Sequence, residues 1–207
     1  MDSYKTVRQF GAAEFEERRS RFIGAAMPIS SEQQAVDFIN ARRSEFWDAT
    51  HNVYAYALKD GFVRRYSDDS EPQGTAGMPT LDVLLKSGVT DVCVVTTRYF
   101  GGVLLGAGGL VRAYSHAASV ALEAAGIITM NTVADCRLGC DYHMYGKLDA
   151  LVAGFGVIDR DTRFSDGVEL IFSVKLDDLG TLKAAVTDAS NGRAQVEELG
   201  TRFAAFK

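Results

Sequence analysis

Five glycines stand within the nine residues from Gly101 to Gly109, between the apolar run VCVVTTRY and an alanine-rich segment that ends at Gly126. The run predicts a buried strand and the alanine-rich segment a long helix, so the glycines make a strand-to-helix turn. Glycine enters positive φ freely, and successive amides at the positive end of a helix can surround an anion. The spacing is neither GxGxxG nor GxxxxGK[ST], which leaves two interpretations open: another kind of anion site, or a purely structural turn.

The helix after the glycines carries polar residues along one face. Arg112, His116, Ser119 and Glu123 recur at helical spacing. A cation in the first helical turn opposes the helix dipole unless an anion is bound there. Arg112 therefore favours the anion interpretation, although a surface arginine tolerates the small penalty.

A second candidate segment is the polar stretch SDDSEPQGTAGMP, which is longer than a simple connection requires. Its carboxylates, Asp68, Asp69 and Glu71, have the chemistry of general bases, magnesium ligands or arginine partners. Pro79 predicts the first position of a helix that stops at Gly88. Turn chemistry explains part of the composition, but the length favours a functional loop.

The order of the predicted elements divides the chain into domains 1–130 and 131–207. The first domain has strands at RFIGAAMPI and HNVYAYAL. Between them, a capping box of Ser31 and Gln34 predicts the start of a helix that runs to about Phe46. The second has the order βαββαβ, which is that of a ferredoxin-like sandwich. The apolar stripe of its first helix predicts core positions at Met144, Leu148, Leu151, Val152 and Phe155.

Composition excludes several classes of protein. The apolar content of 47% and charged content of 24% are those of a globular protein, and no apolar run is long enough to span a membrane. The start of the sequence lacks the apolar segment of a signal peptide, so we expect a cytoplasmic protein whose three cysteines are buried and unpaired. The net charge of -5 argues against a broadly basic nucleic-acid binder. No metal-site or hydrolase motif is present, so we expect no metal and no cofactor.

Four motifs in this order resemble the YigZ/IMPACT family: RSRFIG, THNVYAYAL, SDDSEPQGTAGMPTLDVL and VVTTRYFGGVLLGAGGLVRAYSHA. The resemblance implies an α+β protein. Its N-terminal domain would have the left-handed βαβ fold of a small-subunit ribosomal protein and elongation factor G domain IV, and its C-terminal domain would resemble elongation factor G domain V. Ser70 and Met78 depart from the family pattern, where glycine and arginine are common.

The resemblance also implies a role in translation. Eukaryotic members of the family compete for the activator of a starvation-sensing kinase, and RNA or ribosome binding is the usual proposal for the two-domain bacterial form. We therefore expect a translation-related regulatory protein that binds RNA, the ribosome or a translation-factor partner through a groove in the first domain. We expect no membrane partner. Whether the protein is an enzyme is left open, and binding without catalysis is favoured.

The expected anion or nucleic-acid site consists of Arg21, His51, Gly74, Thr75, Gly77, Arg98, Tyr99, Phe100, Gly101, Gly102, Gly106, Gly108, Gly109 and Arg112. In this hypothesis the glycine amides and arginines contact phosphates, and Tyr99 and Phe100 stack on bases. One alternative is an enzyme that acts on a phosphorylated small molecule or nucleotide, with Gly101–Gly109 as the phosphate site and Asp68, Asp69 or Glu71 as base or metal ligand. Another is a protein-binding module.

Overall fold

The computed structural model describes residues 3–206. It contains two compact units, one of residues 4–129 and the other of residues 130–206 together with Ser3. The outer limits of the predicted domains, residues 1 and 207, lie outside the described part. Within residues 3–206 no helix has both the length and the apolar character that crossing a bilayer requires.

The N-terminal unit is built on a five-stranded antiparallel sheet of order β2-β3-β6-β4-β5. Its elements are β1 (Ser3–Val7), β2 (Gly11–Glu17), β3 (Ser20–Pro28), α1 (Glu32–Glu45), β4 (His51–Ala57), β5 (Arg64–Ser67), α2 (Gly77–Ser87), β6 (Val92–Tyr99) and α3 (Ala107–Ala125). Because β3 and β4 both run antiparallel to β6, they run parallel to each other, and α1 connects them. This is the βαβ unit that the family resemblance implied.

The sheet is covered on both faces, which explains why the β6 sequence is continuously apolar. Val92 and Val94 pack in the cluster that includes residues of α2 and α3, whereas Cys93 and Val95 pack with residues of α1. Alternate side chains of one strand thus enter two separate cores. Burial raises the pKa of the Cys93 thiol well above its ordinary value.

Small residues let α3 lie close to the sheet. Ala117, Ala118 and Ala121 are fully buried. A side chain at Gly24 of β3 would overlap the carbonyl group of Ala117 on α3. Strand and helix backbones are therefore closer here than any larger residue permits.

The C-terminal unit has the predicted βαββαβ order. Its elements are β7 (Ile127–Cys140), which begins before the boundary, α4 (Tyr142–Ala153), β8 (Ile158–Phe164), β9 (Val168–Lys175), α5 (Leu176–Ser190) and β10 (Val196–Ala205). The strands form an antiparallel sheet in the order β10-β7-β9-β8, the strand order of a ferredoxin-like sandwich. Leu148 and Val152 are buried in its core, and Met144, Leu151 and Phe155 pack against them as predicted.

The three thiols are free, as predicted. Cys93 and Cys136 are buried, whereas Cys140 is only half-buried. Burial raises the pKa of Cys136 to about 11, so this thiol stays protonated at neutral pH.

One helix start and one capping bond differ from the sequence prediction. Helix α2 begins at Gly77 instead of Pro79, because the side chain of Asp68 accepts hydrogen bonds from the first amides of this helix. Ser31 caps α1 and accepts from the Gln34 amide at 3.3 Å, but the Gln34 side chain accepts from the amide of Ser30 and not from that of Ser31. The side-chain bond that would complete the capping box is therefore made to the amide of Ser30, one residue before the N-cap.

The close approach of α3 to β3 predicts that Gly24→Ala lowers the free energy of unfolding by about 1–3 kcal/mol, because the new methyl group would push the backbones apart. Urea denaturation followed by circular dichroism measures the change. Gly139→Ala is the matched control, since Gly139 also lies in a strand but has nothing within 4 Å of the added carbon. Equal effects of the two substitutions would contradict the close packing.

Candidate functional site

A cleft of about 340 Å³ opens in the N-terminal unit between the loop that precedes α2 and the amino end of α3. It is lined by Thr50, His51, Glu71, Pro72, Arg98, Phe100, Leu104, Leu105, Gly106, Ala107 and Leu110. The polar loop and the glycine loop thus meet at one site, although 21 residues of sequence, 80–100, separate them.

A buried ion pair forms the floor of the cleft. Arg98 at the end of β6 donates from Nη1 to Glu71 Oε1 at 2.6 Å, and both side chains are nearly inaccessible, with residue exposures of 4% and 8%. Tyr114 of α3 donates its hydroxyl to the same carboxylate oxygen at 2.7 Å. Ser20 of β3 accepts from Arg98 Nη2 at 3.2 Å. The pair therefore joins two strands, a helix and the polar loop.

Aromatic rings flank the buried guanidinium. The rings of Phe22 and Phe100 each lie 5.4 Å from Arg98 Cζ, within the range of cation–π attraction. Burial, and after it the nearby Glu71 carboxylate, raises the pKa of Tyr114 far above its ordinary value. The Tyr114 hydroxyl consequently stays protonated and remains a hydrogen-bond donor.

His51, the first residue of β4, lies beside this network. Its Nδ1 is 2.8 Å from the backbone carbonyl of Asp69, a contact that requires Nδ1 to carry the hydrogen. Its Nε2 is 3.6 Å from Glu71 Oε1. His51 thereby links the strand to the polar loop at the floor of the cleft.

The other two carboxylates of the polar loop also hold backbone in place. Asp68 accepts from the amides of Gly74, Ala76 and Gly77 at 2.8–3.1 Å and so caps α2. Asp69 accepts from the amide of Asn52 at 2.6 Å and pairs with an arginine of α1 at 2.9 Å. With Glu71 bound to Arg98, all three candidate bases have structural partners. No cluster of acidic, histidine or cysteine side chains suited to a metal occurs among residues 3–206.

The glycines of the opening motif have different roles. Gly101 lies against the carbonyl group of Arg19, where any side chain would overlap it. Gly102 and Gly106 have φ values of 80° and 72°, in the left-handed region. Gly108 and Gly109 belong to the first turn of α3 and not to the loop.

The amino end of α3 has no side-chain cap. Its N-cap residue is Gly106, and within residues 3–206 the amides of Ala107, Gly108 and Gly109 have no hydrogen-bond acceptor. The first intrahelical bond is donated by Leu110. Three donors at the positive end of a helix are therefore available, and the first of them, on Ala107, lines the cleft.

Arg112 faces a different concavity. This second cavity, of about 420 Å³, is lined by Arg18 and Arg112 together with Phe15, Glu16, Glu17, Leu105, Gly109, Ala113 and His116. Arg112 is exposed, and its Nη1 would lie 3.9 Å from a carbon added at Gly108. The two arginines expected to act together, Arg98 and Arg112, are thus separated, one in a buried pair and one on the surface.

The remaining predicted site residues do not line the cleft. The Arg21 side chain pairs with Glu14 on the surface, and the Tyr99 hydroxyl donates to Asp48 at 2.7 Å. Thr75 is buried and donates to the carbonyl of Pro72 within the loop. Gly74 and Gly77 donate their amides to the Asp68 carboxylate and so belong to the loop's internal bonding.

Two important residues are absent from the sequence-predicted site. The aromatic ring of Tyr114 packs in an apolar cluster, and its hydroxyl completes the floor of the cleft. Leu104 is 79% exposed at the rim. A large apolar residue inside a glycine-rich loop was the available signal, because such loops are ordinarily polar or small.

Comparison with known proteins gives consistent matches. Residues 18–122 match the family described as the Impact N-terminal domain, and residues 138–193 match a domain family of unknown function. The chain is 35% identical to IMPACT family member YvyE of Bacillus subtilis (strain 168), over 96% of this chain and 92% of that protein. It is 37% identical to IMPACT family member YigZ of Escherichia coli (strain K12), over 65% of this chain and 68% of that protein. A crystal structure of a hypothetical protein matches at a TM-score of 0.61 and 30% identity, over 97% and 98%.

The buried pair predicts strong coupling in a double-mutant cycle. Arg98→Met and Glu71→Gln should each lower the free energy of unfolding by about 3–5 kcal/mol, because each leaves an unpaired buried partner. The double variant should lose less than the sum of the two, by about 1–3 kcal/mol. Glu14→Gln, which breaks the exposed pair with Arg21, should leave unfolding unchanged. Additive losses at positions 71 and 98 would contradict the pairing.

Proposed function

Because this chain belongs to the IMPACT family, we propose that it is a cytoplasmic, translation-related regulatory protein that acts by binding, and that a protein partner, a translation factor or a ribosomal protein, docks in the cleft. The role in translation rests on the family resemblance. The choice of a protein partner is supported by one observation: the only arginine that lines the cleft within residues 3–206 is already paired with Glu71.

Phosphate binding requires cations that are free to replace counterions. The charge of Arg98 is balanced by Glu71 at 2.6 Å, and its side chain is buried, so its contribution to RNA affinity is small. Arg112 faces the second cavity together with Arg18, and Glu16 and Glu17 line the same cavity and offset the two positive charges. These positions favour a partner other than a nucleic-acid backbone.

The rim of the cleft has the character of a protein-binding surface. Leu104 is 79% and Phe100 44% exposed, and both line the cleft. Exposed apolar side chains around a concave apolar surface are typical of sites that bind a side chain of a partner. The paired Arg98 and Glu71 side chains form the floor below them.

The three carboxylates that the enzyme alternative needs all make structural contacts. Asp68 and Asp69 hold backbone amides, and the Glu71 carboxylate already accepts from Arg98 and Tyr114. A carboxylate that is held by an arginine or by backbone amides is poorly placed to take a proton from a substrate. Binding without catalysis is therefore the function that the geometry favours.

This proposal predicts that Leu104→Ser weakens partner binding about tenfold, since removal of a buried interface side chain costs about 1–2 kcal/mol. The tagged protein is incubated with a ribosome-containing cell extract, washed with and without nuclease, and the retained translation factors and ribosomal proteins are quantified by mass spectrometry.

Leu199→Ser is the matched control, because Leu199 is 52% exposed on β10 of the other unit. We expect the same translation protein to survive nuclease with the parent and with Leu199→Ser, but not with Leu104→Ser. Loss of all partners on nuclease treatment would identify RNA as the ligand, and retention by Leu104→Ser would place docking outside the cleft. Either result would overturn the proposal.

A further inference from the structure

The cleft combines an apolar interior with hydrogen-bond donors that have no acceptor. Gly106 and Ala107, at the start of α3, line it, and the amides of Ala107, Gly108 and Gly109 are unpaired within residues 3–206. At the amino end of a 19-residue helix these donors carry the positive end of the dipole. A group that binds here has to be an acceptor and is favoured if it is negative.

The floor of the cleft provides an independent indication. Arg98 lines the cleft and is only 4% exposed. Its Nε has no hydrogen-bond partner within the described residues. Buried guanidinium donors are almost always satisfied in folded proteins. An unpaired buried donor on a residue that lines the same cleft as Ala107 indicates that an acceptor belongs in this cleft.

The local charge favours an acceptor with a single negative charge over one with two. Glu71 already balances Arg98, so the positive potential that remains comes mainly from the helix end, which is equivalent to about half an elementary charge. The Glu71 carboxylate at the floor repels a phosphate dianion more strongly than it repels a monoanion. A carboxylate carries one charge, and its two oxygens can accept from adjacent amides.

The rest of the lining selects the group that carries the carboxylate. Pro72, Leu105 and Leu110 supply apolar surface, and Phe100 and Leu104 form the exposed rim. A volume of about 340 Å³ holds one large side chain with its backbone. The ligand therefore has an apolar body beside a monoanionic head.

We propose that the cleft binds the C-terminal carboxylate of a protein chain whose last side chain is apolar, with the carboxylate on the amides at the start of α3. This inference rests on the proposed function, because it specifies which part of the protein partner enters the cleft. Backbone amides at a helix start are a known means of capturing a chain terminus.

Four small probes test the two halves of the site separately. N-acetylleucine reproduces an apolar C-terminus, N-acetylleucinamide removes its charge, N-acetylglycine removes its side chain, and inorganic phosphate supplies an anion without an apolar body. Amide NMR titration of the intact protein measures each dissociation constant from the shifts of Gly106, Ala107 and Gly108.

We expect N-acetylleucine to bind at least about tenfold more tightly than each of the other three, because a hydrogen-bonded charge or a buried side chain contributes a factor of this size. Equal binding of the leucinamide would overturn the carboxylate assignment, and equal binding of N-acetylglycine would overturn the apolar one. Tighter binding of phosphate at the same amides, or no shift with N-acetylleucine, would also overturn the proposal.

Two substitutions at one position separate the amide from the fold. Ala107→Pro removes the amide hydrogen of the first helical residue, where proline is well tolerated, and Ala107→Ser retains it. N-acetylleucine should bind about tenfold more weakly to the proline variant and almost unchanged to the serine variant, with both variants folded by circular dichroism. Unchanged binding by the proline variant would overturn the assigned position of the carboxylate.

The failure of this inference is distinguishable from failure of the proposed function. If N-acetylleucine does not bind while Leu104→Ser still releases the translation partner, the cleft docks protein but not through a C-terminus. If N-acetylleucine binds as expected while Leu104→Ser retains the partner, the carboxylate site stands and partner docking lies elsewhere.

Discussion

The buried pair of Arg98 and Glu71 is the interaction on which the arrangement of the N-terminal unit depends. Two charges removed from water are tolerated only when each finds compensating partners in a fixed geometry. Tyr114 donates to the carboxylate, and Ser20 accepts from the guanidinium. These contacts form only when β3, β6, α3 and the polar loop take fixed relative positions. The pair therefore defines the position of the loop relative to the sheet.

This constraint explains why a loop of carboxylates and glycines is ordered. Glu71 is held from below by Arg98, while Asp68 caps α2 and Asp69 accepts from the start of β4. Each acidic residue satisfies donors that the fold would otherwise leave unpaired. The loop therefore acts as a wall of the cleft whose position is fixed before any ligand arrives, which lowers the entropy lost on binding.

Periodicity predicted the elements well, because it reflects local backbone geometry and burial. The β6 run, the alanine face of α3 and the βαββαβ order of the second unit all follow from spacing along the chain. The partners of the charged side chains could not be predicted in this way. Arg98 and Glu71 are 27 residues apart, and only the tertiary fold decides whether an arginine beside a glycine loop faces solvent or a buried carboxylate.

The start of α2 shows a related limit. Pro79 is compatible with any position of the first helical turn, because none of those amides has an acceptor within the helix. The true start is set by Asp68, which lies nine residues before Gly77. The Asp68 carboxylate accepts hydrogen bonds from the first amides of the helix. A distant cap of this kind leaves no local pattern in the sequence.

The glycines that opened the sequence analysis can now be separated by what each one permits. Gly101 and Gly109 lie close to neighbouring atoms, and Gly102 and Gly106 adopt positive φ, so packing or backbone conformation explains these four. Gly108 has neither requirement: its φ is not positive, and the nearest atom to an added carbon is the flexible end of Arg112 at 3.9 Å. Glycine in a helix is less favourable than alanine by about 1 kcal/mol. The feature that Gly108 does provide is unobstructed access to the unpaired amides at the start of α3, which is the property that a ligand contacting the backbone would use.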